Sequence, residues 1–109
     1  MSNVYKVLGQ QVPSANVLTT LYTVPAVTNT VISTISVANY GATNASYSLS
    51  VARAGAADTA NQYFVRGATV PAADSIFLTI GLTLGATDVV RCNTNSATVA
   101  FNAFGSEID

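Results

Sequence analysis

The sequence predicts an all-β protein, a single antiparallel β-sandwich of about seven to eight strands. Two observations support this prediction: apolar residues recur at every second position in several segments, and Thr, Val, Ser and Asn, which disfavour helices, recur throughout the chain. The 109 residues, half of them hydrophobic, are enough for one buried core. We therefore expect one domain over residues 1–109, with either a jelly-roll or an immunoglobulin-like strand order.

Alternation is clearest in residues 46–51, where Tyr47, Leu49 and Val51 are separated by serines. Residues 98–103 alternate in the same way. Residues 75–84 place five apolar side chains on one side of a strand: Ile76, Leu78, Ile80, Leu82 and Leu84. These patterns are typical of strands with one face on a core and the other face toward water.

Other segments complete the predicted strands. Residues 30–40 are rich in β-branched side chains and align Val31, Ile35 and Val37 on one side. Shorter candidates lie at residues 4–8, 17–24, 62–66 and 88–92. The segment 1–12 is expected to be a docking arm or an edge strand.

The segments between the predicted strands contain residues that favour turns. Residues 39–44 separate two alternating runs and are predicted to form a hairpin loop, and residues 52–61 to form the longest loop. Each proline follows a valine, in the pairs Val12-Pro13, Val24-Pro25 and Val70-Pro71. Proline holds the preceding residue extended and cannot donate to a sheet, so each pair should mark a strand end.

Catalysis is poorly supported because the chain has no histidine and only nine charged residues. A serine nucleophile would have to use Lys6, the only lysine, as its base. Cys92 shares strand parity with Val90, which predicts a buried, unreactive thiol, with Arg91 on the opposite face. We predict no catalytic residue and no cofactor-binding residue.

Metal ligands are also scarce. Glu107 and Asp109 are close only to each other, and Asp58, Asp74 and Asp88 lie in three separate loops. Those three aspartates would form a weak calcium site only if the fold brought them together at one end of the sandwich. Solvated turn residues are the simpler interpretation, so we predict no metal site.

Charge and hydropathy exclude further classes. Arg53, Arg66 and Arg91 are three positive charges against five acidic residues, too few for phosphate affinity, so we expect no nucleic-acid partner and assign these arginines to an interface or its rim. The glycosylation sequon at Asn44-Ala45-Ser46 is a chance match. Polar residues interrupt every apolar stretch before the roughly 18 residues of a spanning helix, so we expect no membrane partner.

The aromatic residues divide into two groups. Tyr47 and Phe101 are predicted in the core. Tyr22, Tyr40, Tyr63 and Phe104 are either half-buried sandwich residues or surface anchors, and a carbohydrate-binding role would depend on loop residues such as Tyr40 and Tyr63. The chain has no tryptophan, which argues against a lectin.

Four segments resemble small virion proteins of tailed bacteriophages, notably those of cyanophages. These segments are YKVLGQ at residues 5–10, TLYTVPA at 20–26, VISTISVAN at 31–39 and VAFNAFGSEI at 99–108. The resemblance extends over nearly the whole chain. Proteins of this family are β-sandwich components of the virion, either capsid decoration (cement) proteins or parts of tails and fibres, and they have no catalytic motif.

The resemblance implies a non-enzymatic capsid decoration protein that binds copies of itself and other virion proteins such as the major capsid protein. The alternative is a tail, baseplate or fibre component that binds a receptor or carbohydrate. A trimer would suit a capsid three-fold site or a fibre. We expect the protein in the virion, made in the host bacterial cytoplasm without a signal peptide. The scarcity of charge agrees with a surface that other proteins cover.

Overall fold

The computed structural model describes residues 3–109. These residues form eight strands and no α-helix, with two short 3₁₀ turns between the fourth and fifth strands. The strands are β1 (Asn3–Gln11), β2 (Thr19–Thr23), β3 (Asn29–Asn39), β4 (Ala45–Ala52), β5 (Tyr63–Val70), β6 (Asp74–Leu84), β7 (Val89–Thr94) and β8 (Val99–Ile108). No helix in the described part of the chain is long and apolar enough to span a membrane.

The strands form two four-stranded antiparallel sheets that pack as a sandwich. Sheet A has the order β1-β8-β3-β6, and sheet B has the order β2-β7-β4-β5. The first four strands pair in reverse order with the last four: β1 with β8, β2 with β7, β3 with β6 and β4 with β5. This winding is the jelly roll, so the strand order that the sequence left open is not immunoglobulin-like.

Each of the predicted strands overlaps one observed strand, which confirms the all-β fold class. Several observed strands are longer than predicted, and β8 continues to Ile108 because Gly105 and Ser106 remain in the ladder. In the segment 1–12, residues 3–11 form β1 at the edge of sheet A, and residues 1 and 2 lie outside the described residues.

The prediction that residues 39–44 form a hairpin loop is wrong. β3 pairs with β6 and β8 in sheet A, whereas β4 pairs with β5 and β7 in sheet B. The segment therefore crosses from one sheet to the other. Asn39 anchors this crossing: its Nδ2 donates to the Thr43 and Val70 carbonyl oxygens at 2.9 and 3.3 Å, and its Oδ1 accepts from the Gly41 amide at 2.9 Å.

The prediction that Val31 shares a face with Ile35 and Val37 is also wrong. Ile32, Ile35 and Val37 are fully buried between the sheets, whereas Val31 is half-buried on the outer face. The register of β3 shifts between Ile32 and Thr34 against both neighbouring strands. Against β8, Ser33 is the extra residue, and one extra residue inverts the alternation of the side chains that follow it. Against β6, the extra residue lies in β6, beside Gly81.

The valine–proline pairs mark strand ends as predicted. β1 ends just before Val12, β2 ends just before Val24, and Val70 is the last residue of β5. The turns after these pairs contain non-glycine residues with positive φ: Asn16 at 61°, Val27 at 59° and Ala73 at 53°. L-amino acids rarely adopt this conformation, and a β-branched residue such as Val27 is strained in it.

The core lies between the sheets and is closely packed. Tyr47 and Phe101 are buried as predicted, and their rings meet edge to face with centroids 6.2 Å apart. The core residues come from both sheets: Leu21, Tyr22, Val24, Ile32, Ile35, Val37, Ala45, Tyr47, Leu49, Val70, Leu84, Val90, Cys92, Val99, Phe101 and Ala103. Burial of these apolar side chains is the main stabilising contribution to the fold.

Candidate interaction surface

Cys92 is fully buried in the core, as the sequence predicts. Burial raises the pKa of its thiol to about 12, because a thiolate would lose its hydration there. Arg91 lies on the other face of β7, and its guanidinium donates to the backbone carbonyl oxygen of Ala56 at 2.9 Å. A protonated thiol without access to solvent is a poor nucleophile.

The aspartates that the sequence considered for calcium do not converge. Asp74 begins β6 beside the end of β3, whereas Asp88 precedes β7 at the opposite end of the sandwich. Asp88 accepts hydrogen bonds from the Ala54 and Gly85 amides, both at 2.9 Å, and Asp58 accepts from the Tyr63 hydroxyl at 2.8 Å. Within residues 3–109, no three Cys, Asp or Glu side chains are grouped as metal ligands would be.

A polar cluster closes the side of the sandwich where β1 and β2 lie. The Tyr22 hydroxyl donates to Glu107 Oε2 at 2.5 Å and lies 2.9 Å from Thr30 Oγ1, and Lys6 Nζ lies 2.8 Å from Glu107 Oε1. Hydrogen bonds from Lys6 and then from Tyr22 lower the pKa of the Glu107 carboxyl. Desolvation and then the Glu107 hydrogen bond raise the pKa of Tyr22 to about 12. The cluster joins sheet B to sheet A.

The outer face of sheet B is partly covered by its own loop. Arg91 holds this loop, residues 53–62, through the Ala56 carbonyl oxygen. Ser50 lies on the same face beside Arg91 and Tyr63 in the strand register, and it is fully buried although it points away from the core. The Arg66 guanidinium lies 4.6 Å from the centre of the Tyr63 ring. The three arginines of the chain, Arg53, Arg66 and Arg91, therefore all lie on sheet B or its loop.

A pocket of about 690 Å³ opens beside this loop. Val51 and Phe64 of sheet B and Leu82 of sheet A form its apolar wall. Polar and small residues of the loop form the rest of the lining: Arg53, Ala56, Ala57, Thr59, Asn61, Gln62 and Tyr63. The pocket lies where the edge strands β5 and β6 leave a gap between the sheets.

The outer face of sheet A carries no charged side chain over residues 3–108. We call it the uncharged face. The strand registers align its side chains in rows across the sheet, one of which contains Phe77, Ser36, Asn102 and Gln10. Its other members include Tyr5, Val7, Val31, Thr34, Ala38, Ser75, Thr79, Thr83, Ala100, Phe104 and Ser106.

Exposed hydrophobic side chains are distributed over the uncharged face. Tyr5 is 79% exposed, Phe77 67% and Val7 49%. Exposed apolar area is where proteins often bind other proteins, so this face is a candidate interaction surface. Sequence reasoning did not single out Phe77. The sequence feature that could have identified Phe77 is an aromatic residue at an outward position of the alternating segment 75–84.

The four aromatic residues that the sequence predicted to be either half-buried or surface anchors differ in their exposure. Tyr22 is buried, Phe104 and Tyr63 are half-buried, and Tyr40 is 64% exposed. Tyr40 lies in the β3–β4 crossing near the start of β4, whereas Tyr63 lies opposite Ser50 near the end of β4. Tyr40 and Tyr63 are therefore at opposite ends of the sandwich and do not form one binding site.

Comparison with known proteins finds two solved structures that are similar to this chain. Both are pentameric capsid proteins isolated from metagenomic phage sequences, and both are 16% identical to this chain over 96% of its length. The TM-scores are 0.31 and 0.28, too low to establish a common fold. The chain spans about 58% and 60% of the length of these two proteins. No protein-family model and no curated protein matches the chain.

Proposed function

We propose that this chain is a non-enzymatic structural protein of a tailed-phage virion, a capsid decoration (cement) protein that binds copies of itself and other virion proteins. The uncharged face of sheet A carries the proposal. An uncharged surface can be covered by a protein neighbour without the desolvation cost of burying ions. The sequence resemblance to tailed-phage virion proteins supports the same assignment.

A sandwich with a core shared by both sheets suits such a role because it presents a stable scaffold. The core is built from side chains of both sheets, and the polar cluster of Lys6, Tyr22, Thr30 and Glu107 closes one side. A decoration protein needs a stable scaffold and one adhesive face. The buried Cys92 and the separated aspartates add no chemistry that would favour an enzyme.

The test compares matched charge substitutions on the two outer faces. Thr34→Asp introduces a carboxylate in the middle of the uncharged face, and Thr69→Asp introduces one on the exposed outer face of sheet B. Purified phage particles are analysed by quantitative mass spectrometry after complementation with each variant. We expect stoichiometric incorporation of the wild type and of Thr69→Asp, and loss of Thr34→Asp. A wild-type chain found only in traces in purified particles would refute the proposal.

Electron cryomicroscopy assigns the location. Particles made without the chain should lack density on the capsid shell and keep their tails and fibres. Missing density at the tail, baseplate or fibre would instead support the alternative location.

The pocket beside the 53–62 loop favours a second candidate, receptor or carbohydrate binding by a tail or fibre component. It is concave and contains the polar groups of Asn61, Gln62 and Tyr63, which are groups that bind sugar hydroxyls. A glycan array should then give saturable binding that Tyr63→Ala removes and Tyr40→Ala leaves unchanged. An array without signal would exclude this candidate.

A further inference from the structure

The two long sides of the sandwich differ in how well they are closed. On the β1–β2 side, the polar cluster joins the sheets, and Gly9 approaches Leu21 so closely that a Cβ would overlap with the Leu21 carbonyl oxygen. On the β5–β6 side, the inward side chains of β6 stay partly exposed. These half-buried residues are Ile76, Leu78, Ile80 and Leu82. The β5–β6 side is therefore the open side of the sandwich.

The edge strands of the two sheets also differ in protection. Natural edge strands avoid pairing with other chains through charged residues, proline, short length or bulges. β1 carries Lys6, β2 has five residues and is followed by Val24-Pro25, and β5 carries Arg66 beside a register shift. β6 has 11 residues and no proline, and it contains no charged residue after Asp74. Its one irregularity is the register shift between Thr79 and Leu82, beside Gly81, which leaves residues 74–79 regular.

Phe77 lies in the middle of this regular stretch and is 67% exposed. If a second copy pairs antiparallel over residues 74–80, Phe77 lies opposite its own counterpart, and Ile76 lies opposite Leu78. Aromatic and aliphatic pairs directly across antiparallel strands stabilise a sheet. The two Asp74 carboxylates would be about 20 Å apart along the strands, beyond the screening length at physiological salt.

We propose that β6 pairs antiparallel with β6 of a second copy about a two-fold axis at Phe77, which joins two copies of sheet A into one eight-stranded sheet. This inference rests on the self-association in the proposed function and assigns its contact. The paired stretch of seven residues is about 23 Å long, and the smallest dimension of the molecule is 19 Å. Their product, about 440 Å² per copy, is roughly half of the 800 Å² per partner of a standard interface, so the dimer should be a weak, concentration-dependent one.

The experiment measures the mass of the full chain in solution by sedimentation velocity and light scattering. We expect a dimer for the wild type. Phe77→Lys and Phe77→Glu each place like charges on the two-fold axis and should raise the dissociation constant by at least about 100-fold. An equimolar mixture of the two variants should form a heterodimer, because opposite charges then meet. Tyr5→Lys, the matched change of an exposed aromatic at the other edge of sheet A, should remain dimeric.

Several results would overturn the inference: a monomeric wild type at 100-fold the concentration used for the variants, a dimeric Phe77→Lys protein, or a Tyr5→Lys protein that also dissociates. The last result would indicate a head-to-tail contact between β6 and β1. Circular dichroism checks that the variants fold. The double variant Ser75→Lys/Thr79→Lys, whose lysines lie opposite each other across the two-fold axis, replaces any Phe77 variant that does not. A monomeric chain found at stoichiometric level in particles refutes this contact and the self-association, and leaves the virion role of the proposed function intact.

Discussion

The hydroxyl of Tyr22 donates to Glu107 Oε2 at 2.5 Å and thereby connects β2 of sheet B to β8 of sheet A. Lys6 of β1 forms an ion pair with the other carboxylate oxygen, with 2.8 Å between Lys6 Nζ and Glu107 Oε1. Hydrogen bonds with a charged partner stabilise a protein by about 1.5–3 kcal/mol. This connection is one reason why the β1–β2 side is closed.

Acid should weaken this connection. Lys6 and then Tyr22 hold the pKa of Glu107 below its ordinary value. A carboxylate with a lowered native pKa stabilises the fold fully above its unfolded pKa, near about 4.3, and this contribution disappears as the pH falls through the native pKa. We expect the free energy of unfolding to decrease from about pH 5 to about pH 3, as measured by urea denaturation.

Glu107→Gln should remove that part of the pH dependence and lower the free energy of unfolding at neutral pH by about 1–2 kcal/mol. Asp74→Asn is the control, because Asp74 lies at the other end of sheet A from Lys6 and Glu107. If Asp74→Asn flattened the pH profile as much as Glu107→Gln, the polar cluster would not be the cause.

Gly105 should tolerate no side chain. A Cβ at this position would overlap with the carbonyl oxygen of Val31 and lie 2.9 Å from Ile32 Cα, and both contacts are with the backbone of β3. We expect Gly105→Ala to lower the free energy of unfolding by about 2–4 kcal/mol. Gly85→Ala is the control, since its Cβ would make only an ordinary contact of 3.7 Å with Asp88. Thermal unfolding of the two variants distinguishes the effect of the close approach between Gly105 and the β3 backbone from a general cost of replacing glycine. Only Gly105→Ala should lower the melting temperature strongly.

Val27 should be replaceable with a gain in stability. Its φ of 59° is unfavourable for a β-branched residue, and its side chain is 89% exposed and packs on little. Asparagine tolerates this conformation, so Val27→Asn should raise the free energy of unfolding by about 1 kcal/mol. Val17→Asn changes an exposed valine without positive φ and should have no such effect. An unchanged melting temperature in Val27→Asn would contradict the assigned strain.

Cys92 should react only after unfolding. Its thiol is fully buried and has a pKa of about 12, so an aromatic disulfide reagent at about pH 8 should label the native protein at the rate of global opening. A Thr43→Cys substitution in a Cys92→Ala background supplies an exposed control that reacts at once. Rapid labelling of native Cys92 would show that the core opens locally.

Much of the fold was predictable because strand alternation is a local property. The serine-separated run at 46–51 and the apolar positions of 75–84 defined β4 and β6 without knowledge of their partners. Pairing was not predictable in the same way. β3 and β4 are adjacent in the sequence, yet they lie in different sheets because each finds its partners among strands much later in the chain.

The features of the candidate surface also divide into those that the sequence predicted and those that it did not. Low charge, absence of histidine and the core positions of Tyr47, Phe101 and Cys92 were readable from the residues. The Ser33 bulge that turns Val31 outward was not, because an extra residue in one strand is defined only by the register of its neighbours.

The sequence by itself determined that this protein is an all-β sandwich with few charges and little chemistry, since composition and period-two alternation depend on each residue and its near neighbours. The tertiary structure decided where those few charges lie. The jelly-roll winding places the arginines around sheet B, encloses Glu107 between the sheets and leaves Phe77 on an uncharged face beside an open edge. That separation depends on long-range strand pairing, which short-range patterns do not encode.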